Sequence, residues 1–462
     1  MERLPTIRRL RRWAGRYRFG LAAVAAACLG LIAFELLGYY HLAFYVFDLG
    51  IYNRHMWGIV HGDFGPNPLM GFNLLGDHAH FILLLLAPLY ALWQSPETLL
   101  IIQALGIGLA GWPIYKTARY LGHSDLQAAA WLVPFYGYFG YWTALEYPFH
   151  VAALSVLPLS WALYFLIAKR DQALIIALII AALTKEDMPL VAAMIGLYVI
   201  VLRRQWRLGL ALIIAGLAYT QLVIKVWIPW VRHAPYPFDH IQLAWNGLKT
   251  HNIKLMLLSF GWLPLGALEV LMLLAPLWAS RFLSDAGARW DLFEHYSANQ
   301  GPILAVAAIV AGIRLVAWLV RRYPPLKSRL GLLRWSTIGL ACIGTVLVWL
   351  PFRHTSVAPQ RPWFSRHATP TMLASRDALA AIPADASVGV QSPFPQATSR
   401  RYVYFLPLDL AKRQPDYLLL SNAMDFWPFE SREAVGEFVS QANQLGYTTL
   451  IDHDGVTLMK HQ

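Results

Sequence analysis

The sequence predicts a polytopic α-helical membrane protein, with about eleven transmembrane helices and a small C-terminal α/β domain outside the membrane. Three observations carry that expectation. Of 462 residues, 57% are hydrophobic and only 14% charged, and mean hydropathy is +0.45; an ordinary soluble domain is roughly a quarter charged. The apolar residues come in long blocks, such as Phe19 to Ala33 and Leu208 to Ala218, and a bilayer core takes about 20 mostly apolar residues per helix. Arg and Lys stand in short clusters at the ends of these blocks, the pattern of cytoplasmic loops.

The net charge of +12 therefore points to anionic lipid headgroups as partners and not to nucleic acid. Cys28 and Cys342 are the only cysteines, each inside an apolar block, so neither a disulfide nor a zinc site is expected. No Walker loop, dinucleotide glycine fingerprint or nucleophile elbow is present.

The spans follow from charge parity. Arg8-Arg9 and Arg11-Arg12 put the N-terminus in the cytoplasm, and the apolar run from Phe19 to Tyr40 is too long for a cleaved signal core. Lys116, Arg119 and His123 mark the next cytoplasmic turn, so Leu99–Ile114 runs inward. The short block Phe81–Trp93 is left outside, at the interface or re-entrant. Two passes near Leu126–Thr143 and Val151–Ala168 lead to Lys169-Arg170. From Gln172 to Leu202 both flanks are basic, so two short passes meet at Lys185-Glu186-Asp187. Helices of about 15 residues reach some 22 Å against a core of about 30 Å, which sinks this triplet below the outer surface.

A span at Leu208–Ile228 leads to an aromatic, proline-rich outer loop. Short spans at Ile253–Leu265 and Ala267–Leu283 follow, then Ile303–Val320 and Trp335–Leu350. The chain thus divides into a membrane unit, residues 1–352 with an outer loop at 41–98, and an extracytoplasmic unit, 353–462. In the latter, Arg376–Ala381 and Ser431–Leu445 read as helix. Ser387–Val390, Tyr402–Phe405, Tyr417–Leu420, Tyr447–Asp452 and Val456–Met459 read as strands.

Under this topology the chemistry-bearing residues gather on the outer side. They are Asp48 just past the first span; Asp77, His78 and His80; Glu146 and His150 around Pro148; Lys185, Glu186 and Asp187; and His295 with Tyr296. An outward cavity lined by acids and imidazoles suits acid–base chemistry on a polar substrate. Each group has a plainer reading. Asp48 suits a helix cap. Asp77, His78 and His80 offer metal-ligand types without a spaced partner, and whether a divalent metal takes part stays open. Glu146 and His150 suit a polar interfacial loop, and Lys185 suits an internal ion pair with Glu186 or Asp187.

Phe47-Asp48-Leu49-Gly50, Gly76-Asp77-His78, Ala87-Pro88-Leu89-Tyr90, Leu183-Thr184-Lys185-Glu186-Asp187, His295-Tyr296-Ser297-Ala298 and Pro415-Asp416-Tyr417-Leu418-Leu419 occur in this order over most of the chain. In this the sequence resembles a family of bacterial membrane proteins, domain of unknown function 2079. That family looks like a branch of the GT-C glycosyltransferases, which use polyprenyl-phosphate-linked sugars on the outer membrane face. The resemblance implies a bacterial inner-membrane enzyme in which Asp48, matching the first-loop carboxylate of that superfamily, is the catalytic base. Asp77 joins it as a catalytic candidate. His78, Glu146, His150, Lys185, Glu186, Asp187, His295 and Tyr296 are candidates for binding substrate, and Lys185, Arg232 and Arg54 for holding the donor phosphate. Here the first loop reads Asp-Leu-Gly where many GT-C enzymes carry paired acids. The competing readings are a transporter or flippase of a polar lipid-linked substrate, and a non-catalytic scaffold.

Overall fold

The computed structural model describes residues 17–41, 47–238, 243–292, 294–352, 369–391, 394–424, 426 and 428–462. The basic N-terminal cluster and the first residues of the tail, Arg353 onward, lie outside the described residues. Five described helices are long and apolar enough to cross a bilayer: Arg18–Tyr40, Pro96–Tyr120, Trp206–Arg232, His295–Arg322 and Pro324–Leu350. Shorter apolar helices accompany them at Ile82–Leu92, Val151–Ile167, Asp171–Ala182 and Met188–Arg203. Leu29, Ile176, Ile179, Ile214, Leu217, Ile343 and Val346 point outward from these helices and are well exposed. A soluble protein would leave that much apolar surface as a sticky patch; hydrocarbon chains cover it without cost.

Of the eleven predicted spans, five fall on these long helices and three on the shorter ones at Val151–Ile167, Asp171–Ala182 and Met188–Arg203; the other three are broken into shorter pieces. Leu126–Thr143 is three short helices, Asp125–Ala130, Leu132–Tyr136 and Phe139–Glu146, broken at Trp131 and at Gly137 with Tyr138. The predicted pair at 253–283 is corrected further. A helix at Gly247–Leu258 ends in Gly261 and Trp262, both at positive φ. The chain then proceeds in short turns, Leu263–Gly266, Leu268–Leu271 and Met272–Leu274, to the helix Ala275–Phe282. Pro264 and Pro276 sit at the starts of such pieces, where a missing N–H costs least. The block expected outside, Phe81–Trp93, is the helix Ile82–Leu92, which at about 16 Å is too short to cross.

Small residues let two helices touch backbone to backbone. A Cβ on Gly196 would stand 2.5 Å from the carbonyl oxygen of Gly209, and one on Gly209 would stand 2.5 Å from that of Gly196. The helices Met188–Arg203 and Trp206–Leu222 thus form a tight hairpin, the packing expected where van der Waals contact replaces hydrophobic drive.

At the C-terminal end the chain builds a five-stranded sheet in the order β2-β1-β3-β5-β4. The strands are β1 Val388–Val390, β2 Val403–Phe405, β3 Tyr417–Ser421, β4 Tyr447–His453 and β5 Val456–His461. β1 runs parallel to β2 and β3, whereas β5 is antiparallel to both β3 and β4. The helices Pro370–Ala381 and Arg432–Gln444 pack on it, the first capped by Thr369 and the second by Ser431. These elements match the predicted ones to within a few residues, except that the first helix starts earlier.

The helix Phe47–Val60 joins the two parts. Its Asn53 is fully buried and donates to Thr398 Oγ1 at 2.8 Å and Ser399 Oγ at 2.7 Å, while Tyr90 donates to Asn53 Oδ1 at 2.6 Å. Asn53→Leu is expected to remove both of these bonds and the acceptor of Tyr90, with Thr398 still donating to the Pro395 carbonyl, at a cost of about 1–3 kcal/mol. The readout is faster protease release of the sheet-bearing segment; unchanged release would sever the link. Within the sheet, Asp416 accepts from Ser387 N and Oγ, both at 2.7 Å, and these bonds hold its carboxyl below the usual range. Its contribution is therefore complete at neutral pH and lost as pH falls below the ordinary Asp range through the lowered value. Asp416→Ala should cost about 1 kcal/mol at pH 7, the modest value fitting an exposed group. By thermal unfolding, the difference from wild type should shrink in acid.

Candidate functional site

A cavity of about 380 Å³ opens between the ends of several helices. Asp48 enters it from the first turn of Phe47–Val60, and so is not that helix's cap. Asp77, His78 and His80 come from the loop after a short 3-10 turn, Leu74–Gly76. His150 comes from the bend around Pro148, where Phe149 sits at φ 58° and no regular helix forms. Lys185 comes from the turn between two helices, and His295 and Tyr296 from the 3-10 turn that opens the helix Gly301–Arg322. Five widely separated segments of sequence thus meet at one place.

The carboxylates and imidazoles are paired in a definite way. His78 Nδ1 lies 2.7 Å from Glu186 Oε1. Because a carboxylate only accepts, this nitrogen carries the proton and Nε2 is turned towards Asp77, 3.9 Å from its Oδ2. Glu186 also accepts from Ala79 N at 3.2 Å and from the Tyr236 hydroxyl at 2.9 Å. It stands behind the cavity wall as an anchor and does not line the cavity itself. Lys185 pairs with Asp187, 3.8 Å away, rather than with Glu186, and its Nζ lies over the ring of Tyr296. His150 Nε2 is 3.7 Å from Asp48 Oδ2, and its ring stacks on His295 with centroids 3.4 Å apart.

Three expectations change. Glu146 is buried at the end of the helix Phe139–Glu146 and does not line the cavity. Arg54 is turned away to Asp63, 2.9 Å distant, and that bond holds the Asp63 carboxyl below its usual range. The cause is local: Arg54 and Asp63 lie on either side of the tight turn that ends the helix. Arg232 is committed to Asp77 Oδ1 at 3.2 Å and stacks over Phe72, and it too does not line the cavity.

Other residues come into play that the motifs did not mark. Arg289 and Glu294 line the cavity, as do Tyr52, Tyr147 and Phe238, the last stacked on His78. Further back, Gln103 and Glu35 are fully buried between helices. Gln103 Oε1 accepts from the backbone N–H of His150 at 2.6 Å, and its Nε2 donates to Glu35 Oε1 at 2.9 Å. This pair fixes the bend that delivers His150. The signal in the sequence was a lone acid inside an apolar span, a costly placement that marks a role. A second hollow of about 360 Å³ adjoins the first and shares Lys185, Phe238 and Arg289 with it; Leu190, Ile224, Pro276, Ala279 and Leu283 give it an aliphatic wall, and Glu186, Asp187 and Tyr236 line it too.

Apolar spans around one polar, charge-paired cavity define a multi-pass helical membrane protein with a built internal site. The sequence matches a family described as predicted membrane protein, domain of unknown function 2079, over residues 39–237 and 233–458, and the chain belongs to that family. No curated protein matches it.

Glu186→Gln removes the charge that answers His78 while keeping the shape. Breaking a buried charge pair from one side costs about 3–5 kcal/mol, so a fall of several degrees in Tm in detergent is expected. An unchanged Tm would mean that Glu186 does not anchor the wall.

Proposed function

We propose that this protein is a GT-C-like glycosyltransferase that moves a sugar from a polyprenyl-phosphate donor to an acceptor hydroxyl at the outer face of the bacterial inner membrane. The observation that carries the reading is the pair of joined hollows. One bears Asp48 and His78; the other adds an aliphatic wall of Leu190, Ile224, Pro276, Ala279 and Leu283 to a polar side that includes Glu186 and Asp187, and Lys185 and Arg289 belong to both. A lipid-linked sugar has that division: a sugar and phosphate at one end and a hydrocarbon chain at the other.

In this reading Asp48 takes the proton of the acceptor hydroxyl as its oxygen attacks the anomeric carbon. The bond from that carbon to the phosphate oxygen breaks, and polyprenyl phosphate leaves with both bonding electrons. Lys185 and Arg289, at the junction of the hollows, stabilise the charge that collects on the departing phosphate, the role that fixed positive groups serve best in a water-poor site. Asp77 and the Glu186-supported His78 stand across the cavity as a second acid–base pair.

The topology belongs to the same proposal. Eleven passes, a cytoplasmic N-terminus, a membrane unit at 1–352 and an extracytoplasmic unit at 353–462 put the cavity and the sheet on one side. The bonds from Asn53 to Thr398 and Ser399 support this, because they require the two to share a side.

The purified protein is expected to transfer radiolabelled sugar from a panel of polyprenyl-phosphate donors. Asp48→Asn should slow transfer by about 10²–10⁴, the usual contribution of a general base. Equal transfer by both proteins removes Asp48 from the mechanism. No transfer by folded wild type from a broad panel rejects the enzyme reading and favours transport.

A further inference from the structure

We propose that Asp48, His150 and His295 form a binding site for one divalent transition-metal ion of the zinc class. The three side chains come from the helix Phe47–Val60, the bend at 147–150 and the 3-10 turn at His295–Gln300. Each offers one ligand atom, and these atoms all lie within 4.8 Å of one another.

The second observation is an unmet need. His295 is 8% exposed, yet neither ring nitrogen has a hydrogen-bond partner among the described residues. Buried imidazoles ordinarily satisfy both nitrogens, since an unpaired polar atom loses water and gains nothing in return. Its ring is stacked on His150, 3.4 Å away and inclined by only 17°, which sets the two imidazoles side by side facing one cavity. Asp48 closes the third side with a side chain one-third exposed and free to swing.

The donor set selects the ion. Two imidazoles and one carboxylate suit zinc, cobalt, iron or nickel far better than magnesium or calcium, which prefer oxygen alone. Ligands about 2.0–2.2 Å from a tetrahedral ion stand about 3.4 Å apart; Asp48 Oδ2 and His150 Nε2 are already 3.7 Å apart, and small side-chain shifts bring the three ligand atoms to that spacing. Three protein ligands with a fourth position open to the cavity are the pattern of a metal that takes part in chemistry rather than one that only holds a fold. Asp77, His78 and His80, the ligand types noted in the sequence without a spaced partner, do not converge in this way, and His78 is held by Glu186. His150, in turn, is delivered to the site by the Glu35–Gln103 pair.

The inference stands apart from the transferase reading, because binding of an ion is measured without any substrate. Should both hold, a hydroxyl bound to the ion would lose its proton more readily than one near Asp48 alone.

The test strips full-length protein in detergent with a chelator, dialyses it against zinc and counts the metal by mass spectrometry. Wild type is expected to retain about one ion per chain. Asp48→Asn and His295→Gln should each weaken retention by more than about 100-fold, beyond what loss of a supporting residue causes, and His78→Gln should leave it unchanged. Because His295→Gln risks misfolding, cobalt is added to wild type and to Asp48→Asn as a second measurement. A visible d–d absorption in wild type only supports the site. No retained zinc in wild type, retention equal in Asp48→Asn, or loss on His78→Gln with retention in Asp48→Asn would each overturn it.

Discussion

One buried carboxylate ties together the wall on which the site depends. Glu186 sits in the turn between two short membrane helices and binds His78, the Ala79 backbone and Tyr236. Those partners belong to the loop after the 3-10 turn at Leu74–Gly76 and to the region beyond the long Trp206–Arg232 helix. In hydrocarbon a charge without partners is expensive enough to be excluded. The same charge, once paired, makes every alternative placement of the three segments worse by a comparable amount. The polar cavity is therefore held by the reluctance of its anchors to face lipid.

This explains why the polar network runs in layers. Cavity residues are backed by buried partners: His78 by Glu186, His150 by Gln103 and Gln103 by Glu35. The first layer remains open to a substrate, and the second fixes rotamers. A network of this kind gains most when every member is satisfied; among the described residues Glu35, His80 and Asp187 each leave one buried atom unpaired, and His295 leaves both ring nitrogens so.

Much of this was legible in the sequence, and the reasons differ by element. The apolar blocks and basic clusters announced a membrane protein because the bilayer demands both. The strands of the tail were found because period-2 alternation and turn residues act locally. Helix breaks at Gly137, Gly261 and Trp262 were not foreseen, since positive φ and packing against neighbours decide them rather than propensity. Asp48, Asp77, His78, His150, Lys185, His295 and Tyr296 were singled out individually and do share one cavity. Which of them pair was beyond reach. Arg54 was lost to a neighbour nine residues on, and Glu146 was buried by its own helix. Glu35 and Gln103 were missed because a single polar letter in an apolar run carries no partner's name.

The glycine contact between the helices Met188–Arg203 and Trp206–Leu222 bears on how the second hollow keeps its shape. Gly196 and Gly209 meet backbone to backbone, and Thr220 Oγ1 donates to the Glu186 carbonyl at 3.1 Å, so Leu190 on one helix and Thr220 on the other face the hollow from a single stiff unit. Facing them are Pro276, Ala279 and Ser280 of the helix Ala275–Phe282. A bulkier residue at either glycine would wedge the hairpin apart, and the damage would be felt at Lys185, in the turn at its head, although neither glycine touches the cavity.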